Sequence, residues 1–314
     1  MSSYVPYKTK QFFFVLIKLS IVVGAFYFIY SKITKNESLE FSTFLSFLNE
    51  KNVFSTKNIS ILILLSFFNW FFEILKWQHL VGTLKHISFI SALEQSLGGL
   101  TASLITPNRI GDYGAKAIYF TKKLRTKIVL LNLLGNMAQM TVTTLFGIVG
   151  IFFFLNAYSI DINFYKVIIG LLALFGMKQK RFKIKGVSFA AILTFIKSIS
   201  IKTHSLNLSL SFIRYLIFSF QFYYLLIAFG VDISYANAMM AITSMYVLAS
   251  IVPTISIFDV VVKGSIAVFL FDYLHISELT ILSITTTMWL LNFVIPSIIG
   301  SYFVLNFKLT NLIE

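Results

Sequence analysis

The chain has 314 residues, 57% hydrophobic and 12% charged, with a net charge of +14 and no cysteine. That balance excludes a soluble domain, because no polar stretch is long enough to build a core, while several apolar runs reach or approach the ~20 residues that cross a bilayer. It also excludes disulfides, thiolate chemistry and cysteine metal sites. The ~10-residue alternating segments of a transmembrane barrel are missing, so the expected class is all-α, a polytopic helical membrane protein. The basic residues sit in short loops between apolar runs, which is the positive-inside pattern and not a nucleic-acid patch. His79, His86, His204 and His275 are scattered without ligand spacing, so no metal is expected.

In chain order, a basic arm (1–10) precedes an apolar run from Phe12 to Tyr30, too long for a signal peptide and read as a first span entering from the cytoplasm. Residues 31–58 are polar and mixed in charge, which suits an outer loop. Ile59 to Val81 is the second span. Near its inner end Glu73 and Lys76 lie three apart on one face, as an interfacial ion pair beside a tryptophan anchor or as part of a transport path. Ile87 to Ile105 is apolar, rich in small residues, and ends at Pro107. Basic residues flank it on both sides (Lys85, then Lys122, Lys123, Arg125 and Lys127). A re-entrant hairpin over 87–121 keeps both flanks cytoplasmic.

Ile128 to Asn156 is a long outward span, and the loop after it carries Asp161 and no base. The apolar run 164–177 covers only ~21 Å, yet the basic cluster 178–185 after it belongs inside, so it reads as a span. Residues 187–205 are amphipathic and basic, an interfacial helix or an extension of a neighbouring span. Ser211 to Gly230 crosses outward with Arg214 at its inner end. Tyr235 to Val252 runs inward to Pro253, and Phe258 to Phe271 returns to an acidic loop, so the hairpin 235–271 opens to the outside. Leu279 to Leu305 crosses back, broken or kinked near Pro296. The expected total is about six spans plus two oppositely oriented re-entrant hairpins. They form an inverted repeat, 1–163 and 164–314, within one membrane domain, with both termini in the cytoplasm. Broken elements of such repeats meet near the midplane.

The two breaks carry matching charge. Thr106-Pro107-Asn108-Arg109-Ile110-Gly111-Asp112 leads to Lys116, and Pro253-Thr254-Ile255-Ser256-Ile257-Phe258-Asp259 leads to Lys263. Asp112/Lys116 and Asp259/Lys263 are i,i+4 pairs with the acid first, the better order on a helix. An unpaired charge at mid-bilayer costs ~2.5–3.5 kcal/mol on insertion scales, so both couples should be paired or face a shared wet cavity. Arg109 offers a planar fork suited to phosphate, or to anchoring at a headgroup layer. The helix after Pro107 aims free N–H groups at an anion. Glu94 is a lone acid in the hairpin arm, a lining group or a partner for Arg109. Together Arg109, Asp112, Lys116, Asp259, Lys263, Glu73, Lys76 and Glu94 are the candidate substrate-binding residues. No serine or threonine has a base-and-orienter set, and there is no phosphate-cradling Gly-Lys-Ser/Thr loop or HExxH. Neither catalysis nor a cofactor is expected.

On Asn69-Trp70 with Glu73 and Lys76-Trp77, on Thr106 to Asp112, and on Val252-Pro253-Thr254-Ile255 through Asp259 to Lys263-Gly264-Ser265, the chain resembles the lysylphosphatidylglycerol synthase transmembrane region family of flippase-like integral membrane proteins. The resemblance spans nearly the whole chain. Members usually have Glu at the positions of Asp112 and Asp259 and Arg at those of Lys116 and Lys263, and often glycine at those of Phe258 and Val261. The swaps keep the sign of charge but shorten the acid and lose the guanidinium fork. The resemblance implies movement of phospholipid, aminoacylated or not, between leaflets of the bacterial cytoplasmic membrane. The synthase domain of some members has no counterpart here, so aminoacyl transfer is not expected. Two other readings stay open: a non-transporting scaffold for an envelope glycosyltransferase or synthase, and an ion-coupled small-solute transporter.

Overall fold

The computed structural model describes residues 55–104, 106, 109–159, 189–252 and 256–307, together with 20, 23, 27, 46 and 53; for 189, 190 and 256–261 only the backbone is described. Most of the first expected span, the short run 164–177, Pro107 and Pro253 lie outside these residues. The described residues are helical, with no strand. In order they form α1 (Thr56–Gly82), α2 (Phe89–Leu104), α3 (Ile110–Ile118), α4 (Lys122–Ala157), α5 (Phe189–Ser198), α6 (Ile201–Ala228), α7 (Tyr235–Ile251), α8 (Ser256–Asp272) and α9 (Glu278–Asn306).

Local sequence explains the boundaries. Ser55, Ser200, Ser234 and Ser277 each precede a helix, and each hydroxyl accepts from the backbone N–H three residues on, satisfying one of the orphan donors of a first turn. Gly230 ends α6 at φ +76°, with Val231 N–H reaching back to the Leu226 carbonyl, a left-handed stop that glycine adopts without a Cβ penalty.

α1, α4, α6 and α9 are long and apolar enough to cross a membrane, at 27, 36, 28 and 29 residues. Large apolar side chains cover their outer faces, including Ile63, Leu64 and Phe67 on α1, Leu145, Val149 and Phe153 on α4, and Ile298, Ile299 and Tyr302 on α9. So much exposed hydrocarbon is a lipid-facing surface. Two helices start earlier than their hydropathy suggests. α4 begins at Lys122 and α6 at Ile201, so α6 runs ten residues below Ser211 and Arg214 lies at its middle, not at an inner end. The amphipathic stretch 187–205 divides into α5 and the first turn of α6.

Contacts set the directions. Asn58 meets Tyr224, Ser66 meets Gln221, and Glu73 meets Arg214, so α1 and α6 are antiparallel. Asn207 bonds Leu134 and Gln139 bonds Ser211, so α4 and α6 run together. The tightest crossings use glycine. A Cβ on Gly150 would strike Thr243 of α7, and one on Gly300 would strike the Leu97 carbonyl and Thr101 of α2. α2 packs against α3, and α7 against α8, so each half contains a helix–break–helix pair folded on itself.

Pro296 does not break α9. Five residues, Leu290–Val294, widen into a π-turn just before it, and the helix continues to Asn306. In an ordinary helix the N–H of residue 296 would bond the Asn292 carbonyl, but proline has none. That carbonyl instead accepts from the Trp70 indole at 3.1 Å.

Apolar packing among the described residues divides into two large clusters and a small third one of Leu104, Trp289 and Val294 beside Phe293. One large cluster gathers the end of α6 with α7, α8 and the start of α9 around Phe222, Phe229, Ile242 and Phe271. The other gathers the end of α1 with α2, α3 and the start of α4 around Trp77, Leu80, Ile128 and Leu131. Between them lies a polar layer.

Candidate functional site

Glu73 is the centre of that layer. Its Oε2 lies 2.7 Å from Lys76 Nζ, one turn on in α1, and 2.7 Å from an Arg214 guanidinium nitrogen of α6. The Glu73 and Lys76 side chains are only 13% and 4% exposed. The pair is therefore buried inside the bundle, shared with a third charge, Arg214. Trp77 is no interfacial anchor: it is 2% exposed and its indole donates to Gln95 of α2 at 2.8 Å. A buried pair holds only when geometry and further hydrogen bonds compensate desolvation. Arg214 supplies these by donating from Nε to Asn69 Oδ1 at 2.9 Å.

From Asn69 the network passes to α9. Asn69 Nδ2 donates to Asn292 Oδ1 at 2.8 Å, Ser66 donates to the same oxygen, and Asn292 Nδ2 donates to Gln221 Oε1 at 2.9 Å. Asn292 lies in the π-turn. A π-turn often marks a functional position in a helix, and here its side chain ties α9 to both α1 and α6.

The first break places its charges beside this cluster. Lys116 is 3% exposed. Its Nζ lies 3.1 Å from each carboxylate oxygen of Asp112, 3.0 Å from Asn132 Oδ1 of α4, and 4.6 Å above the Trp77 ring. Asn132 Nδ2 closes the triangle by donating to Asp112 at 2.7 Å. The i,i+4 couple expected from sequence thus forms, and Asn132 completes it.

Arg109 stands at the turn itself, in the left-handed conformation at φ 55°. That conformation is uncommon for a residue with a Cβ and marks a position worth testing for function. Its guanidinium lies 4.3 Å from the centroid of the Phe293 ring, in the π-turn. Lys263 of α8, from the second break, has its ammonium 5.7 Å from the same centroid. Cations favour the face of an aromatic ring at such distances. One phenylalanine therefore gathers charge from both halves, and α8 touches α2 beside it. Asp259 is a helical residue of α8 whose side chain lies outside the described set.

Glu94 stands apart from the triangle, close to Tyr119. Burial, and then the Glu94 charge, push that phenol above its ordinary range.

Of the eight residues expected from sequence, the structure joins Glu73 to Lys76 and Asp112 to Lys116 and gathers Arg109 with Lys263. Sequence reasoning missed Asn69, Gln139, Arg214, Gln221 and Asn292 as members of one network, and Asn132 as the third member of the Asp112–Lys116 triangle. The available signal was a polar residue alone in an apolar run, which in a membrane segment faces the protein interior.

No protein-family model, curated protein or solved structure matches this chain.

Proposed function

We propose that the chain moves a phospholipid headgroup between leaflets of a bacterial cytoplasmic membrane, as the flippase-like resemblance implies. The observation that carries this reading is the meeting of Arg109 and Lys263 on the Phe293 ring, beside the Asp112–Lys116–Asn132 triangle. A fork and an ammonium, from two breaks remote in sequence, suit the phosphate of a headgroup. Asp112, with Asp259, suits an amine or a sugar hydroxyl. Glu73 and Lys76 with Arg214 brace the layer behind it, and Glu94 lines the hairpin arm. The apolar outer faces of α1, α4, α6 and α9 support a setting in lipid for this polar layer.

The architecture proposed with it is six spans and two re-entrant hairpins, 87–121 and 235–271, in oppositely oriented repeats 1–163 and 164–314, with both termini cytoplasmic. Its support is the two helix–break–helix pairs, α2 with α3 and α7 with α8, and the alternation of basic loops with base-free acidic ones. An envelope-lipid enzyme is the proposed partner class. One observation favours the non-transporting scaffold instead: Glu73, Lys76 and Lys116 are all fully engaged, as in a static brace.

Reconstitution into liposomes with leaflet-labelled phospholipid decides between these. The expected result is exchange above empty vesicles, reduced at least ~tenfold in Arg109→Ala and Lys263→Met, since losing a charged contact to phosphate is worth ~1.5–3 kcal/mol. Exchange no faster than in empty vesicles, with folded protein present, sinks the transport reading and leaves the scaffold.

A further inference from the structure

We infer that the seam between α4, α6 and α7 binds a file of ordered water molecules along one face of α6. Asn207, Ser211, Tyr215 and Ser219 recur at every fourth position, so they form a single stripe. Each is at most 1% exposed. Asn207 Oδ1, Ser211 Oγ, Tyr215 Oη and Ser219 Oγ have no hydrogen-bond partner among the described residues, and the Tyr246 hydroxyl of α7 shares that condition. Tyr215 and Ser219 are the one consecutive pair whose hydroxyls come close enough to meet directly.

Buried polar atoms are almost always paired, and a run of orphans in one seam asks for a ligand. The spacing suits water. Cβ atoms four apart on a helix lie ~5–6 Å from one another, about twice a hydroxyl hydrogen-bond length of ~2.8 Å, so one water between the short Asn207 and Ser211 side chains reaches both, while the longer Tyr215 extends toward Tyr246, ring centroids 6.3 Å apart. Such a water also finds the two or more polar partners it needs. The stripe rises ~18 Å along the helix, over half of a ~30 Å hydrocarbon core.

The opposite wall is α4: Phe146 stacks on Tyr215 at 4.8 Å, and Gln139 Nε2 donates to the Ser211 carbonyl at 3.4 Å. Gln139 Oε1 also faces Arg214, at 3.5 Å, so the file runs beside the Glu73 cluster. A metal cation is disfavoured there, because the oxygens are neutral and the Arg214 charge is near. Water is neutral and both donates and accepts, which matches hydroxyls and an amide oxygen alike. The inference does not rest on lipid transport.

Radiolytic hydroxyl-radical labelling tests it, because bound water generates radicals beside the side chains it touches. Tyr215 and Tyr246 should label within a few fold of the half-exposed Tyr235, and at least ~tenfold faster than the equally buried Phe222 and Phe271. Ser211→Ala combined with Ser219→Ala should lower Tyr215 labelling severalfold. Should that variant fail to fold, Tyr215→Phe read through Tyr246 serves the same purpose. Wild-type Tyr215 and Tyr246 as silent as Phe222 would overturn the inference, whatever the vesicle assay gives.

Discussion

At the scale of single residues, Glu73 is the carboxylate on which two helices depend, because Lys76 and Arg214 both meet the same oxygen. Removing one partner of a buried pair leaves an uncompensated charge, which costs ~3–5 kcal/mol. Glu73→Gln should therefore lower thermal stability in detergent far more than Lys76→Met, since in the latter Glu73 keeps Arg214. Equal melting temperatures for the two variants would contradict the shared-oxygen geometry. Trp70 has a narrower role: its indole serves the Asn292 carbonyl opposite Pro296. Trp70→Phe keeps the ring but removes the donor, with an expected loss of ~1–3 kcal/mol for a buried acceptor left unmade. Thermal unfolding measures it, and no change in melting temperature would mean that the carbonyl finds another donor. Glu73 and Lys76 were legible as a pair from their spacing, but the burial of that pair was not. Burial depended on Arg214, which hydropathy placed near a helix end because the ten residues below Ser211 are more polar than those above.

At the scale of elements, α9 is the instructive case. A proline in an apolar run predicts a kink, and the sequence marks the position correctly; the outcome is a π-turn that accommodates the missing N–H and turns Asn292 toward α1 and α6. No sequence rule says which nearby side chain will serve the freed carbonyl, since that depends on which helix packs alongside. Gly300 controls the other half of α9. A leucine there would drive into the Leu97 carbonyl, which is backbone and cannot swing away. Gly300→Leu should part α9 from α2. A cysteine pair at Thr101 and Ser297, where a side chain already meets a backbone carbonyl at 2.9 Å, should cross-link in the otherwise cysteine-free chain and fail to do so with Gly300→Leu added. Unchanged cross-linking would show the crossing to be looser than described. The helix–break–helix at Pro107 was plain from the sequence, because proline, glycine and charge interrupt two apolar runs there. The left-handed backbone of Arg109 and its contact with Phe293 were not.

At the scale of the whole molecule, directions are testable with an impermeant thiol reagent. Under the proposed topology, single cysteines at Ser234 and Asn237 should react from the outside and one at Lys122 only from the cytoplasmic side. Labelling of all three from one face would remove the opposed-hairpin arrangement. The amino-acid composition by itself determined that the chain lives in lipid and is helical, because hydrocarbon leaves the backbone no partner but itself. Apolar run length, proline and loop charge then located most of the described helix boundaries to within a few residues, α4 and α6 excepted. Which polar side chains meet was decided only in three dimensions. Asn69, Arg214, Gln221 and Asn292 are remote in the chain and each lies in an unremarkable apolar run. They find one another because an interior polar group in lipid must be satisfied by whatever helix lies across from it, and that neighbour is a property of packing, not of local sequence.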